Sequence, residues 1–339
     1  MNKNISLNIF PVLASKAISL FANKNSLSHI LQQQIEKLKD YRGASTVRNY
    51  RTAIHSFQDY LEHDIQLDEL NSDILSGYER WLLQRGVSMN TSSCYIRSLR
   101  SLLITYDETL RKLFDNVYTG NSKTRKRSVS IDVLSRLNSL QLQKGSFLEL
   151  ARDIFLFSYY AMGMPFVDVA HLRWSQIHND YLVYNRQKTG KQIRVAMESP
   201  MQTILFKHHK QAKGIFAFPL LLQGTDHEYL VVLGRYNRAL RRLEKIAGID
   251  EHLTSYVIRH TWASTAFSEN IDLPVISKAL GHSNTQTTLI YISEIDDNRV
   301  ADANRRMMQK ITKCNFNVEN LSKCDTKSFK MCKTDDKLT

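Results

Sequence analysis

With 339 residues, 42% of them hydrophobic, the chain is long enough for about two domains at ~150 residues each. No apolar run nears the ~20 residues that span a bilayer, and the opening MNKNISLNIFPVLASKAISLF lacks the charged-then-apolar order and cleavage site of a secretory signal. Its 46 basic against 33 acidic residues leave a formal charge of +13, which favours polyanionic partners, nucleic acid first among them.

Residues 1–25 read as an N-terminal extension, and 26–118 as a helical domain. In SLSHILQQQIEKLKDY, Ile30, Leu31, Ile35 and Leu38 recur at helical spacing. STVRNYRTAIHSFQDYLEH follows, with Val47, Tyr50, Ile54, Phe57 and Leu61 on one face and Arg48 and Arg51 off it. ILSGYERWLLQRG, stopped by Gly86, and NTSSCYIRSLRSLLITYDETL supply two more helices. Arg48, Arg51, Arg97 and Arg100 on their polar faces could contact phosphates; a solvated basic face is the alternative. Residues 119–128, with Lys123, Arg125, Lys126 and Arg127 and no apolar periodicity, read as a basic linker along a phosphate backbone or simply in solvent.

From 129 to 315 the pattern is that of a second domain. SIDVLSRLNSL reads as a helix with Ser130 near its N-cap, and FLELARDIFLFSYYAMGM as the apolar helix at the core. GMPFVDVAHLRW reads as a helix–turn–helix junction, with Pro165 at the first helical position and Asp168 near the helix start, where it favours the dipole. YLVYNRQKTGKQIRVAM alternates, turns at KTGK and alternates again, which predicts a β-hairpin. Helices follow from about 199. The polar residues 316–339 read as a disordered tail. Of Cys94, Cys314, Cys324 and Cys332, none forms a C-x-x-C pair; this fits a reduced cytoplasm and no metal site.

Four features of the second domain belong together: Arg259 and His260 in YVIRHTWAST, His282 and Tyr291 in LGHSNTQTTLIY, Arg186 and Lys188 in RQKTGK, and Asp168 three residues past Pro165. In this order and spacing they resemble the tyrosine recombinase (phage integrase) family over residues 26 to 310, and within it the integrases of Bacteroidetes mobile elements and invertible DNA regions. The resemblance implies a mainly α fold with a small β-hairpin (α+β). An N-terminal helical SAM-like core-binding domain and a catalytic domain would form a C-shaped clamp on double-stranded DNA. It further implies a cytoplasmic, nucleoid-associated enzyme that needs neither cofactor nor metal. A homo-tetramer would form on synapsed sites, with a monomer as the open alternative when free.

The same resemblance assigns roles. Tyr291 is the nucleophile, leaving a 3′-phosphotyrosine and a free 5′-hydroxyl that rejoins the strand without ATP. Arg259 stabilises the non-bridging oxygens, for which a guanidinium with two parallel donors is suited. Lys188 protonates the leaving 5′-oxygen, His282 hydrogen-bonds the scissile phosphate, and His260 and Asp168 support the site. After Tyr291, Val300, Ala303, Met307 and Ile311 form a helical stripe that packs in cis or docks on a neighbouring subunit.

Two positions depart from the family. Tyr256 stands where a histidine is usual, three residues before Arg259, and is a poorer proton acceptor. Pro165 stands where the first arginine is expected and offers neither charge nor N–H. Arg186, two residues before Lys188 and so expected on the same strand face, is the expected compensation, with contact to a neighbouring phosphate as its alternative. Integration, excision and inversion all fit. So do, as competing readings, a catalytically impaired DNA-binding or architectural protein and a type IB topoisomerase-like enzyme.

Overall fold

Polar side chains just ahead of each apolar stretch set where the helices begin. In the computed structural model, which describes residues 25–122, 128–212, 214–282, 284–289, 301 and 304–309, the chain divides into two compact units at residue 125.

In the first unit Ser26 caps α1 (Leu27–Leu38), Asn71 caps α3 (Ser72–Gln84) and Ser88 caps α4 (Met89–Tyr106), each side-chain oxygen accepting a first-turn N–H. Only α2 (Ala44–Leu61), entered from Gly43, lacks a side-chain cap of this kind among these four. Helix α3 ends as expected at Gly86, whose φ of +77° lets Val87 N–H reach the Leu82 carbonyl. The apolar stripes meet in one core: Leu31, Ile35, Val47, Ile54, Phe57, Tyr78, Leu99 and Leu103 are buried, and Phe57 packs edge-on against Tyr78 at 4.9 Å. Burial of each large side chain contributes about 1.5–3 kcal/mol. Gly120 and Ser122, read from sequence as linker, are tied back onto α4: Ser93 donates to the Gly120 carbonyl at 2.7 Å and Asn90 bonds Ser122 in both directions.

The second unit is built on α6 (Phe147–Tyr160), whose Ile154, Phe155 and Phe157 are fully buried. Around it lie α5 (Ile131–Ser139, capped by Ser130), α8 (Ser199–His208), α9 (Asp226–Ala247) and α10 (Val257–Ser268). Helix α6 stops earlier than the unbroken apolar run suggested, because Met162 and Gly163 both adopt positive φ (56° and 69°) and reverse the chain. The five-residue α7 (Phe166–Ala170) then precedes the antiparallel hairpin β1 (Tyr181–Asn185) and β2 (Gln192–Ala196), in register Tyr181↔Ala196 through Asn185↔Gln192. Leu182, Tyr184, Ile193 and Val195 face the core. Helices α11 (Leu273–Ala279) and α12 (Gln286–Leu289) follow α10. The fold is thus mainly helical with one small sheet.

No helix among the described residues is long and apolar enough to cross a membrane. Residues 316–339, the linker residues Lys123, Arg125, Lys126 and Arg127, and Val300, Ala303 and Ile311 of the C-terminal stripe lie outside the described residues. Met307 is helical and 62% exposed.

Candidate active site

Four segments of the second unit converge: the turn before α7, the hairpin loop, the start of α10 and the turn before α12. Pro165 does not occupy the first helical position; it is the extended N-cap of α7 (φ −61°, ψ 147°). Asp168 does stand in the first turn of that helix, as expected, and its side chain reaches the hairpin loop. Its Oδ1 accepts the Gln187 N–H of the hairpin loop at 2.8 Å, and its Oδ2 lies 3.6 Å from Arg186 Nε.

The hairpin is as expected, but its first strand ends at Asn185, short of both residues of the same-face argument. Arg186 and Lys188 both lie in the loop 186–191, closed by Arg186 N–H to Lys191 O (2.9 Å) and Gly190 N–H to Arg186 O (2.8 Å). Strand alternation therefore does not apply, and the two side chains part. Arg186 turns inward, 8% exposed, and donates from Nη1 to the Leu280 carbonyl at 3.0 Å, while Lys188 is exposed. Lys191 donates to the His282 carbonyl at 2.9 Å and so fastens the loop to the turn at 280–282.

Arg259 is the third residue of α10 and only 2% exposed. Its Nη1 donates to the Gly163 carbonyl at 3.0 Å, and its Nη2 donates to the Leu280 carbonyl and to His282 Nε2 (3.2 Å). Two guanidinium groups therefore share one peptide oxygen. That is possible because Gly281 has φ +66° and no side chain: a Cβ there would sit 2.6 Å from Ile193 Cδ1 and 2.8 Å from Arg186 Cδ. His282 completes the turn, with Nδ1 2.8 Å from Thr288 Oγ1 on α12.

Among the described residues, Arg186, Arg259, Lys188 and Lys191 gather around His282, with Asp168 beside Arg186. Burial raises the Asp168 carboxyl above its ordinary value, only partly opposed by the Gln187 N–H, Arg186 and Arg259. Arg186 Nε and Asp168 Oδ2 have no hydrogen-bond partner among the described residues. Burial and then Arg259, Arg186, Lys191 and Lys188 push His282 down to about 4, so its ring is neutral at pH 7. Such a site suits an anion with several oxygens, since each guanidinium can exchange a carbonyl for a charged acceptor.

Tyr256, 49% exposed, caps the start of α10 and meets the His260 ring edge-on at 4.9 Å. Tyr291 lies outside the described residues, which reach Leu289 ahead of it. In the first unit Arg48 and Arg51 lie on α2 and Arg97 and Arg100 on α4; Arg51 and Arg97 are exposed. Sequence reasoning missed Lys191 and Thr288, whose partners are remote in the chain. It missed Asn237 too, whose Oδ1 accepts the Ser255 N–H and steadies the turn before Tyr256. A further omission carried a readable signal: Arg235, Arg238, Arg242 and Lys245 recur at helical spacing along α9 and are all exposed.

Known proteins give the same picture. A profile of the phage integrase family matches residues 132–297, and one of the phage integrase SAM-like domain matches residues 26–105. Tyrosine recombinase XerD of Listeria monocytogenes is 23% identical over 270 residues, covering 73% of this chain and 87% of that protein. The XerD of Pseudomonas putida is 24% identical over 288 residues, covering 78% and 93%. Among solved structures, a lambda integrase(75-356) dimer bound to a COC′ core site superposes with a TM-score of 0.63 at 16% identity, covering 80% of this chain and 98% of that one. The Tn1549 transposon integrase in complex with circular intermediate DNA superposes at 0.62 and 16%, covering 84% and 99%. With both profiles matched in order and relatives aligned along most of their length, this chain belongs to the phage integrase family and is a tyrosine recombinase.

Proposed function

We propose that the chain cuts and rejoins DNA strands at specific sites, with Tyr291 as nucleophile and the cluster around Leu280 as the phosphate site. The observation that carries this reading is the sharing of one carbonyl by Arg259 and Arg186, with His282 at the same guanidinium. The phenol of Tyr291 gives its proton to water as its oxygen attacks phosphorus, the bond to the 5′-oxygen breaks, and Lys188 gives that oxygen its proton. Arg259, Arg186 and His282 hold the non-bridging oxygens while charge builds on them, and attack by a 5′-hydroxyl reverses the sequence. Arg186 fills the role left open at Pro165, and Asp168 positions it. Tyr256 stabilises charge at the rim and His260 supports it.

Arg48, Arg51, Arg97 and Arg100 of the first unit, the linker residues Lys123, Arg125, Lys126 and Arg127, and the basic stripe on α9 are proposed to contact the duplex backbone. A lambda integrase tetramer has been solved on a Holliday junction, which supports a homo-tetramer on synapsed sites here, with 26–118 and 129–315 as the working domains. A cytoplasmic enzyme acting on the nucleoid follows from this substrate.

A nicked suicide substrate tests the reading. The wild type is expected to give a protein–DNA adduct that survives EDTA and is absent in Tyr291→Phe. A reversible mobility shift alone would instead mark an architectural protein, and relaxation without exchange between two sites a topoisomerase-like enzyme. Arg186→Ala is expected to slow cleavage by ~10²–10³-fold, as loss of a transition-state donor does; cleavage at the wild-type rate would overturn its role.

A further inference from the structure

Two contacts of His282 bear on which ring nitrogen carries its proton. A guanidinium can only donate, so Nε2, 3.2 Å from Arg259 Nη2, is the acceptor. In a neutral ring the proton then sits on Nδ1 and is donated to Thr288 Oγ1 at 2.8 Å. This is the reverse of what a phosphate oxygen asks, because that oxygen needs a donor at Nε2. Thr288 is fully buried, so its hydroxyl answers to its protein neighbours.

We propose that Thr288 is a positioning residue that holds the His282 ring and lets it change tautomer when a phosphate enters the site, an inference that rests on the recombinase reading above. A backbone carbonyl or a carboxylate at this place could only accept, and would hold the proton on Nδ1. A hydroxyl rotates: it accepts from Nδ1–H in the DNA-free site and donates to bare Nδ1 once Nε2 carries the proton. The exchange balances through water, which takes the proton from Nδ1 and supplies one to Nε2, leaving the ring neutral. The phosphate oxygen then replaces Nε2 as the acceptor for Arg259. Among the described residues, the charged groups facing the ring are Arg259 on α10 and Arg186, Lys188 and Lys191 on the hairpin loop, with Asp168 of α7 beside Arg186. Set among those cations, a neutral ring is favoured over an imidazolium.

The test combines ring nitrogens and kinetics on the full chain. In ¹⁵N-histidine-labelled protein without DNA, the His282 signals, identified by their loss in His282→Gln, are expected to show a protonated Nδ1 and a bare Nε2. Bound to a suicide site in Tyr291→Phe, the pattern is expected to invert. An Nε2–H tautomer in the free protein, or no inversion on DNA, overturns the proposal. In cleavage, Thr288→Ser keeps the hydroxyl and is expected to match the wild type. Thr288→Val is expected to lose about tenfold or more, towards the ~10²–10³-fold of a lost donor, and to add nothing in a His282→Gln background. An equal further loss in that background would mark a merely structural threonine and sink the idea. If the wild type forms no adduct, the recombinase reading fails by itself, and the ring nitrogens of the DNA-free protein still decide the role of Thr288.

Discussion

The second unit buries two clusters of charge, and they are built on opposite principles. Around α6, Arg152 is fixed to Asp153 and caps the carbonyls of Leu137, Asn138 and Leu140 at the end of α5. Asp153 also takes His208 at 2.8 Å and Lys207 at 2.8 Å, and Lys207 reaches Glu149 at 2.6 Å. Although burial works to raise it, Asp153 is held below its ordinary value by bonds to His208, Lys207 and Arg152. Around Leu280, by contrast, two guanidiniums lean on one carbonyl, the nearest carboxylate among the described residues stands 3.6 Å from Arg186, and that carboxyl is raised. One cluster sets Asp153 and Glu149 against Arg152, Lys207 and His208 and serves the fold. In the other, among the described residues, two guanidiniums and two lysines gather around His282 with Asp168 beside them, a balance that suits a phosphate.

Removing a carboxylate separates the two most strongly. Asp153→Ala removes the carboxylate that Arg152, His208 and Lys207 share, and breaking a buried pair of this kind costs about 3–5 kcal/mol. Urea unfolding should show the loss as a lower midpoint, with DNA cleavage at permissive temperature retained. Removing charge at Leu280 should do the reverse. In Arg186→Met combined with Asp168→Asn, both charges go while the acceptor for the Gln187 N–H stays. Stability should remain within about 1 kcal/mol, since replacing a buried pair is often neutral, while cleavage falls ~10²–10³-fold. A large loss of stability in the double variant would mean that this cluster, too, is structural.

The cluster around Leu280 should also betray itself without DNA. Sulfate at about ten times its dissociation constant is expected to stabilise the wild type by about 1.4 kcal/mol, read as a rise in Tm. The rise should vanish in Arg186→Met and persist in Asp153→Ala. An equal shift in all three proteins would show a general salt effect.

What could be read in advance follows the same division. Arg259, His282 and the hairpin were legible because motif and alternation are local, and the stripes of α1 to α4 because helical period is local. The argument that put Arg186 on the same strand face as Lys188 failed, since the strand ends at Asn185, yet Arg186 still reaches the site because the loop folds it back onto Leu280. Lys191 and Thr288 act on His282 through contacts set by tertiary packing, and no pattern in RQKTGK or NTQTTL marks them. The cluster on Asp153 was invisible for the same reason: Asp153 and His208 meet across 55 residues of chain.

The smallest expected difference is in acid. Asp153 has a folded pKa below its unfolded value of 3.8, so below pH 3.8 the unfolded chain binds the extra proton. Stability from this group is present above that pH and is lost as pH falls through the folded value. Asp168 is raised, so from pH 3.8 upward to its folded value it is the native state that holds the extra proton. Its contribution therefore grows as pH falls through that window and opposes the loss at Asp153. Urea midpoints taken between pH 5 and pH 3 should fall less steeply in Asp153→Asn than in the wild type and more steeply in Asp168→Asn. Parallel slopes in the three proteins would mean that the two clusters do not differ in how their charge is balanced.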